Sequence, residues 1–288
     1  IGYENVFDYS LGNPSVPCPP EFTAAMQDLL ATEEPIALHG YCPSQGDPGF
    51  RTAVAAHLAK TFGLPYEQKH IFPTTGAAGA IAHAIRAVTQ PGDEVLTFAP
   101  YFPEYGPYVA GTGAVLKVVP PQAPTFQPNL DAFEQMIGEK TTCVLINTPN
   151  NPTGVAMESD WIFQLMKRCQ KSGTLLVLDE CFTDFLEEEQ CYTALPFLRD
   201  FPGTIILKAF TKMYAMAGIR LGYALCADEN RIRQISGTGQ AWSVSTPASR
   251  CGVAALSQRD FVEKTKRFVA EERIFLQEEL AALGLLVY

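Results

Sequence analysis

Four short runs, in DEVLTFAP, TTCVLINTP, TLLVLDE and TIILKAF, are apolar at consecutive positions rather than at alternate ones, and this pattern restricts the fold more than any other. Successive side chains of a strand point to opposite faces of its sheet, so a strand of this kind must be covered on both faces. Helix-length segments lie between the runs: GAAGAIAHAIRAV, NLDAFEQMIG (entered through Asn129), and ESDWIFQLMKRCQKSG, which ends on a glycine. Two-sided strands joined by helices predict an α/β fold with a mostly parallel central sheet flanked by helices. Residues 71–73, AVLKVVP and LGYALCA read as further strands, and PEFTAAMQDLLAT and 50–62 as further helices. With 288 residues, 47% of them hydrophobic, the chain can enclose one large core, or a large and a small domain.

Three parts are expected. Residues 1–38 make an N-terminal arm, rich in Pro and Gly to about Pro20, and a helix. Residues 39–245 make a large domain that opens with the loop HGYCPSQGDPG. Residues 246–288 change character: PASRCGVAALSQ and the charged FVEKTKRFVAEERIFLQEELAALG read as linker helices, and LLVY as the first strand of a small domain at which the chain stops. The net charge of -10 argues against nucleic acid and anionic membranes as partners. The apolar runs are too short and interrupted for a membrane span, and IGYENVFDYS has no leader pattern. Eight scattered cysteines without a CxxC pair read as reduced thiols of a cytoplasmic protein, and four histidines without helical pairing argue against a structural metal.

Six segments carry residues suited to chemistry. In KAFTKMYAMAGIRLGY, Lys212 lies in a loop after an apolar strand and Arg220 follows eight residues later. A lysine amine condenses with an aldehyde only when deprotonated, which desolvation or nearby positive charge favours. Arg220 supplies such charge and a bidentate grip on phosphate; the ordinary alternative is a solvated surface pair. In LLVLDECF, Asp179 ends an apolar strand, where active sites of open α/β sheets gather. A carboxylate there needs a partner, such as a protonated ring nitrogen, unless it only caps the next helix. In NTPNNPTG, Asn151 stands in a turn restricted by Pro152 and Gly154, which can also be a plain βα turn. In TTGAAGAI, the small Gly76, Ala77 and Ala78 leave first-turn N–H groups open to an anion, or merely allow close helix–sheet packing. In APYFPEY, Phe102 can stack on a flat ring or be a core aromatic. In YCPSQG, Tyr41 is a phenol in a polar loop, and most of these are simply exposed.

In this order and spacing the segments resemble the fold-type I pyridoxal-phosphate enzymes, the class I/II aminotransferases, from LGNP (11–14) to WSVSTPA (242–248). NNPTG, DECF and FTK followed by Arg220 form a specific set. The resemblance implies pyridoxal 5'-phosphate as cofactor, with Lys212 its Schiff-base lysine and Asp179 on the pyridine nitrogen. It implies Asn151 at the phenolic oxygen and Phe102 on the ring face. Gly76, Ala77, Ala78, Thr211 and Arg220 would hold the phosphate. Tyr41 matches a tyrosine that reaches the phosphate site of a second subunit, implying a homodimer. Gly12 matches a flexible segment lining the substrate pocket, which Asn151 also lines. Phe182 and Ala209 depart from the commoner Tyr and Ser, and Phe182 with FTKMYAMAGIRLGY is similar to the histidinol-phosphate aminotransferase and threonine-phosphate decarboxylase branch. The arginine expected to bind the substrate carboxylate is assigned to the region beyond Tyr288.

The implied reaction moves an amino group between an amino acid, or an amino-acid-like phosphate ester, and a 2-keto acid. Lys212 serves as general base on the Cα–H, and the kinetics are ping-pong. Two alternatives stand beside it. One is threonine-phosphate decarboxylation, in which the carboxylate is the group held perpendicular to the ring. The other is a non-catalytic cofactor-binding domain of a regulator.

Overall fold

The computed structural model describes residues 12–14 and 16–287. Residues 1–11 of the expected arm lie outside the described residues, and 12–14 and 16–19 carry neither helix nor strand. Helices α1 (Pro20–Thr32), α2 (Pro35–His39) and α3 (Pro48–Phe62) come first. Asp47 caps α3 by accepting from the Phe50 N–H, and Gly63, in the left-handed region, ends it.

Seven strands then form one sheet: β1 (Ile71–Thr74), β2 (Glu94–Phe98), β3 (Val115–Val119), β4 (Thr141–Asn147), β5 (Leu175–Asp179), β6 (Thr204–Ala209) and β7 (Gly222–Leu225). Their order is β1-β7-β6-β5-β4-β2-β3. Strands β3, β2, β4, β5 and β6 pair in parallel, and β7 runs antiparallel to both β6 and β1. The intervening helices are α4 (Gly76–Val88), α5 (Tyr105–Ala110), α6 (Leu130–Met136) and α7 (Ser159–Ser172), followed after β7 by α8 (Glu229–Thr238).

The consecutive apolar runs have the predicted consequence. Leu96, Val144, Ile146, Leu176, Leu178 and Ile206 face a core shared with α3 and α7, while Val95, Cys143, Leu145, Val177, Ile205 and Leu207 face one shared with α4 and α8. Neighbours in sequence enter opposite cores, so these strands are covered on both faces.

After β7, α9 (Thr246–Leu256) buries Ala248, Cys251 and Ala255 against α1 and α3. Helix α10 (Arg259–Ala282) buries none of its residues. The expected strand at LLVY is not formed: residues 285–287 are neither helix nor strand, and Tyr288 lies outside the described residues. Gly284 turns left-handed, and the Leu285 N–H folds back to the Leu280 carbonyl, so it serves the helix end. Among the described residues no strand pairs with 285–287, and an extended segment there would leave its backbone polar groups unmatched by them.

Candidate active site

The sheet registers gather most of the predicted residues at one edge. Asn147 is opposite Asp179, Asp179 is opposite Leu207, and Gly222 stands between Ala209 and Thr74. Chain leaving the carboxyl ends of β1, β2, β4, β5 and β6, and entering β7, therefore meets at this edge, where open α/β sheets place their ligands.

Asp179 is the most constrained member. It is 9% exposed, and its Oδ1 accepts from the Cys181 N–H at 3.1 Å. Burial raises its carboxyl above the usual range, against the lowering effect of the hydrogen bonds from Cys181 and of the nearby Tyr105 hydroxyl. Among the described residues it forms no ion pair. A buried acid without a cation is costly, and a cationic ligand atom would relieve it.

Lys212 follows β6 in a turn, half-buried. Its amine donates to the Gly12 carbonyl and lies 6.0 Å from the centre of the Phe182 ring. Burial is the largest influence and holds the amine below its usual range; Cys181 pulls it up and Arg220 pushes it further down. The direction favours the free-base form that attacks a carbonyl.

Arg220 adopts φ 58°, and its guanidinium donates to Ala217 O at 3.0 Å and Thr75 O at 3.4 Å. It lies over the start of α4: a Cβ on Gly76, whose φ is +71°, would come 3.1 Å from Arg220 Nη2. Gly222 allows this closeness, because a Cβ there would sit 2.7 Å from Lys208 O and 2.9 Å from Gly76 C. Thr75 makes no side-chain cap on α4, so the first-turn N–H groups remain free of one. Uncapped amides at the positive end of a helix, beneath a guanidinium, suit an anionic group. Thr211 is half-buried beside Lys212, and Ala77 and Ala78 continue the first turn.

Phe102 leads into α5 and meets Tyr105 edge-on at 5.8 Å. Asn151 sits in the turn after β4, where its side chain makes no hydrogen bond among the described residues. Asn150 holds that turn: its Nδ2 donates to Pro100 O and to Asn147 Oδ1, both at 3.0 Å, and its Oδ1 accepts from the Thr153 hydroxyl at 2.8 Å. Asn151 and Phe182 line a cleft of about 720 Å³ with Phe185, Tyr192, Ala270 and Arg273. Tyr41 stands apart, 84% exposed, with its ring 4.7 Å from that of Trp242.

The sequence reading missed Tyr105, Cys181, Asn150, Gly222 and Lys208. Asn150 adjoins Asn151, and Cys181 and Gly222 lie two residues from Asp179 and Arg220, but nearness in sequence does not reveal which atom a side chain meets. Lys208 is 5% exposed, and its amine meets Asp184 at 2.8 Å, Glu189 at 2.9 Å and Glu180 at 3.7 Å. This ties the segment after Phe182 to the strand that leads to Lys212.

The arrangement fits a ligand with an anionic group at α4, a carbonyl within reach of the Lys212 amine, and a flat ring with a cationic nitrogen near Asp179. Comparison with known proteins is consistent with that fit. The family described as "Aminotransferase class I and II" matches residues 4–288. The chain is 32% identical over 259 residues to a histidinol-phosphate aminotransferase of Anaeromyxobacter, covering 90% of this chain and 69% of that protein. It is 30% identical over 250 residues to a probable aspartate/prephenate aminotransferase of Aquifex aeolicus, covering 84% of this chain and 64% of that protein. A double mutant of Thermus thermophilus aspartate aminotransferase superposes with a TM-score of 0.87 at 28% identity, covering 96% of this chain and 72% of that one. The chain thus spans about two thirds of the length of the curated relatives.

Proposed function

The chain belongs to the class I and II aminotransferase family, and from this we propose that it transfers an amino group between an amino acid, or an amino-acid-like phosphate ester, and a 2-keto acid. The family's cofactor is pyridoxal 5'-phosphate. When bound, it supplies an aldehyde carbon that condenses with amines and a ring that accepts an electron pair. One observation carries the reading: a buried carboxylate without an ion-pair partner among the described residues, an amine held below its usual range, and uncapped helix amides under an arginine share one sheet edge.

In this reading Asp179 keeps the ring nitrogen protonated through its charge. The N–H groups at Gly76, Ala77 and Ala78, with Thr211 and Arg220, bind the phosphate. Phe102 covers the ring, and the Asn151 amide donates to its phenolic oxygen. Lys212 Nζ holds the cofactor at rest and later takes the proton from the substrate Cα. Asn151 and Gly12 border the substrate, and Gly12 already touches the Lys212 amine.

We further propose that the protein acts as a homodimer in the cytoplasm, with Tyr41 reaching the phosphate site of a second copy. Tyr41 and Trp242 (52% exposed), with their rings 4.7 Å apart, offer an apolar surface that a second copy would cover, which supports this. All eight cysteines are free, as suits a reducing compartment. No helix among the described residues is long and apolar enough to cross a membrane. For the three-part division, support at the C-terminal side comes from α10, which packs Phe261 and Val262 against the large core but fully buries none of its residues. The relatives named above are aminotransferases, so neither the decarboxylase nor the regulatory reading gains support.

The test is borohydride reduction in the presence of pyridoxal phosphate, followed by peptide mapping. The expected adduct is on Lys212 and is lost in Lys212→Ala. An adduct on Lys208 instead, or none, refutes the assignment. Initial rates with varied amino donor and keto acid should give the parallel lines of a ping-pong mechanism.

A further inference from the structure

Beside Asp179 stands a group that the reaction as described leaves unused. Tyr105, the first residue of α5, is wholly buried, and its hydroxyl has no hydrogen-bond partner among the described residues. Its ring is held by packing, edge-on to Phe102 and in the same core as Val177 and Cys143. The hydroxyl lies close enough to the Asp179 carboxylate for each to perturb the other, but not in bonding alignment. The Cys181 N–H already occupies Oδ1 of that carboxylate. Burial first, and Asp179 second, raise the phenol well above its usual range, so it remains a donor. An unpaired buried hydroxyl is unfavourable, and is rarely kept without a role in another state of the protein.

We propose that Tyr105 is a positioning residue for Asp179: its hydroxyl donates to the carboxylate once that group is charged opposite the ring nitrogen, and so tightens the hold on the cofactor. This rests on the role given to Asp179 above. It assigns to the hydroxyl a bond made in the loaded protein and absent from the cofactor-free one. The two states therefore respond differently to its removal.

Tyr105→Phe removes only the oxygen. In the cofactor-free protein the melting temperature should stay the same or rise, since an unmatched polar atom has gone. Affinity for pyridoxal phosphate, measured by fluorescence titration of the cofactor-free protein, should weaken about tenfold, the worth of one hydrogen bond to a charged group. In an Asp179→Asn background the same change should alter affinity by less than about twofold, because the charged acceptor is missing. Equal affinity of wild type and Tyr105→Phe overturns the proposal while leaving the role of Asp179 standing. A lower melting temperature of the cofactor-free variant, with equal affinity losses in both backgrounds, also overturns it, since Tyr105 would then be structural only. A wild-type protein that takes no cofactor overturns the parent reading and this one together.

Discussion

Replacing Lys208 with Met tests how the site is held. Lys208 is 5% exposed, and one amine serves Asp184 at 2.8 Å, Glu189 at 2.9 Å and Glu180 at 3.7 Å. Burial works against the charge of Lys208, but the three carboxylates outweigh it and hold the amine well above its usual range. Glu180 has other donors, the Thr193 hydroxyl at 2.7 Å and the Ala194 N–H at 2.8 Å, so Asp184 and Glu189 lose most. Methionine roughly preserves the volume, and the cost is that of stranding buried acids, about 3–5 kcal/mol. For a chain of this size that is a fall in melting temperature on the order of 10 °C.

The loss should depend on pH. In the wild type, burial raises the Asp184 carboxyl to about 7, against the pull of Lys208 and with repulsion from Glu189. Its unfolded value is about 3.9, so between these two values the folded state binds the extra proton, and stability falls as pH rises. Without Lys208 the carboxyls rise further and the slope steepens. Thermal melts of the cofactor-free proteins at pH 8 and pH 5.5 should therefore show the larger difference at pH 8. Coincident melts at pH 8, or a larger gap at pH 5.5, would refute the reasoning.

Two further outcomes follow from the α4 end of the site, where the phosphate is proposed to bind. Gly222→Ala places a Cβ 2.7 Å from Lys208 O and 2.9 Å from Gly76 C, both backbone atoms, so the strand and the start of α4 must separate. We expect a stability loss of about 1–3 kcal/mol in urea titrations, with weaker binding of pyridoxal phosphate; unchanged values of both would contradict the close approach. Arg220→Gln removes one of the influences that lower the Lys212 amine, so borohydride trapping of the cofactor as a function of pH should move its midpoint upward. A downward move would show that the guanidinium does not act on the amine.

Much of this was legible in the sequence because the signals were local. Consecutive apolar residues at 143–146 and 175–178 can be buried only by a sheet covered on both faces, and each run ends in a polar residue that the strand itself carries to the sheet edge, as Asp179 is carried by β5. The small residues of TTGAAGAI announced an open helix start for the same reason, since the side chains that would close it are absent from the sequence.

What lay beyond reach was set by partners distant in the chain. LLVY has the composition of a strand, but a strand exists only with a neighbour, and among the described residues none pairs with 285–287. Lys208 and Lys212 are four residues apart in similar surroundings by sequence; one amine is held by three carboxylates from 180–189, while the other is left beside Gly12 and Phe182. That distinction comes from packing, because a charge responds to what surrounds it in space.

The sequence by itself determined the α/β class, the two-sided strands and the types of residue available at their ends. Only the tertiary structure decided that β7 inserts between β1 and β6, bringing Arg220 over Gly76, and that the Tyr105 hydroxyl comes to rest against Asp179. The physical reason is that strand character depends on a few adjacent side chains, whereas strand order and electrostatic partnership depend on contacts between segments far apart in the chain.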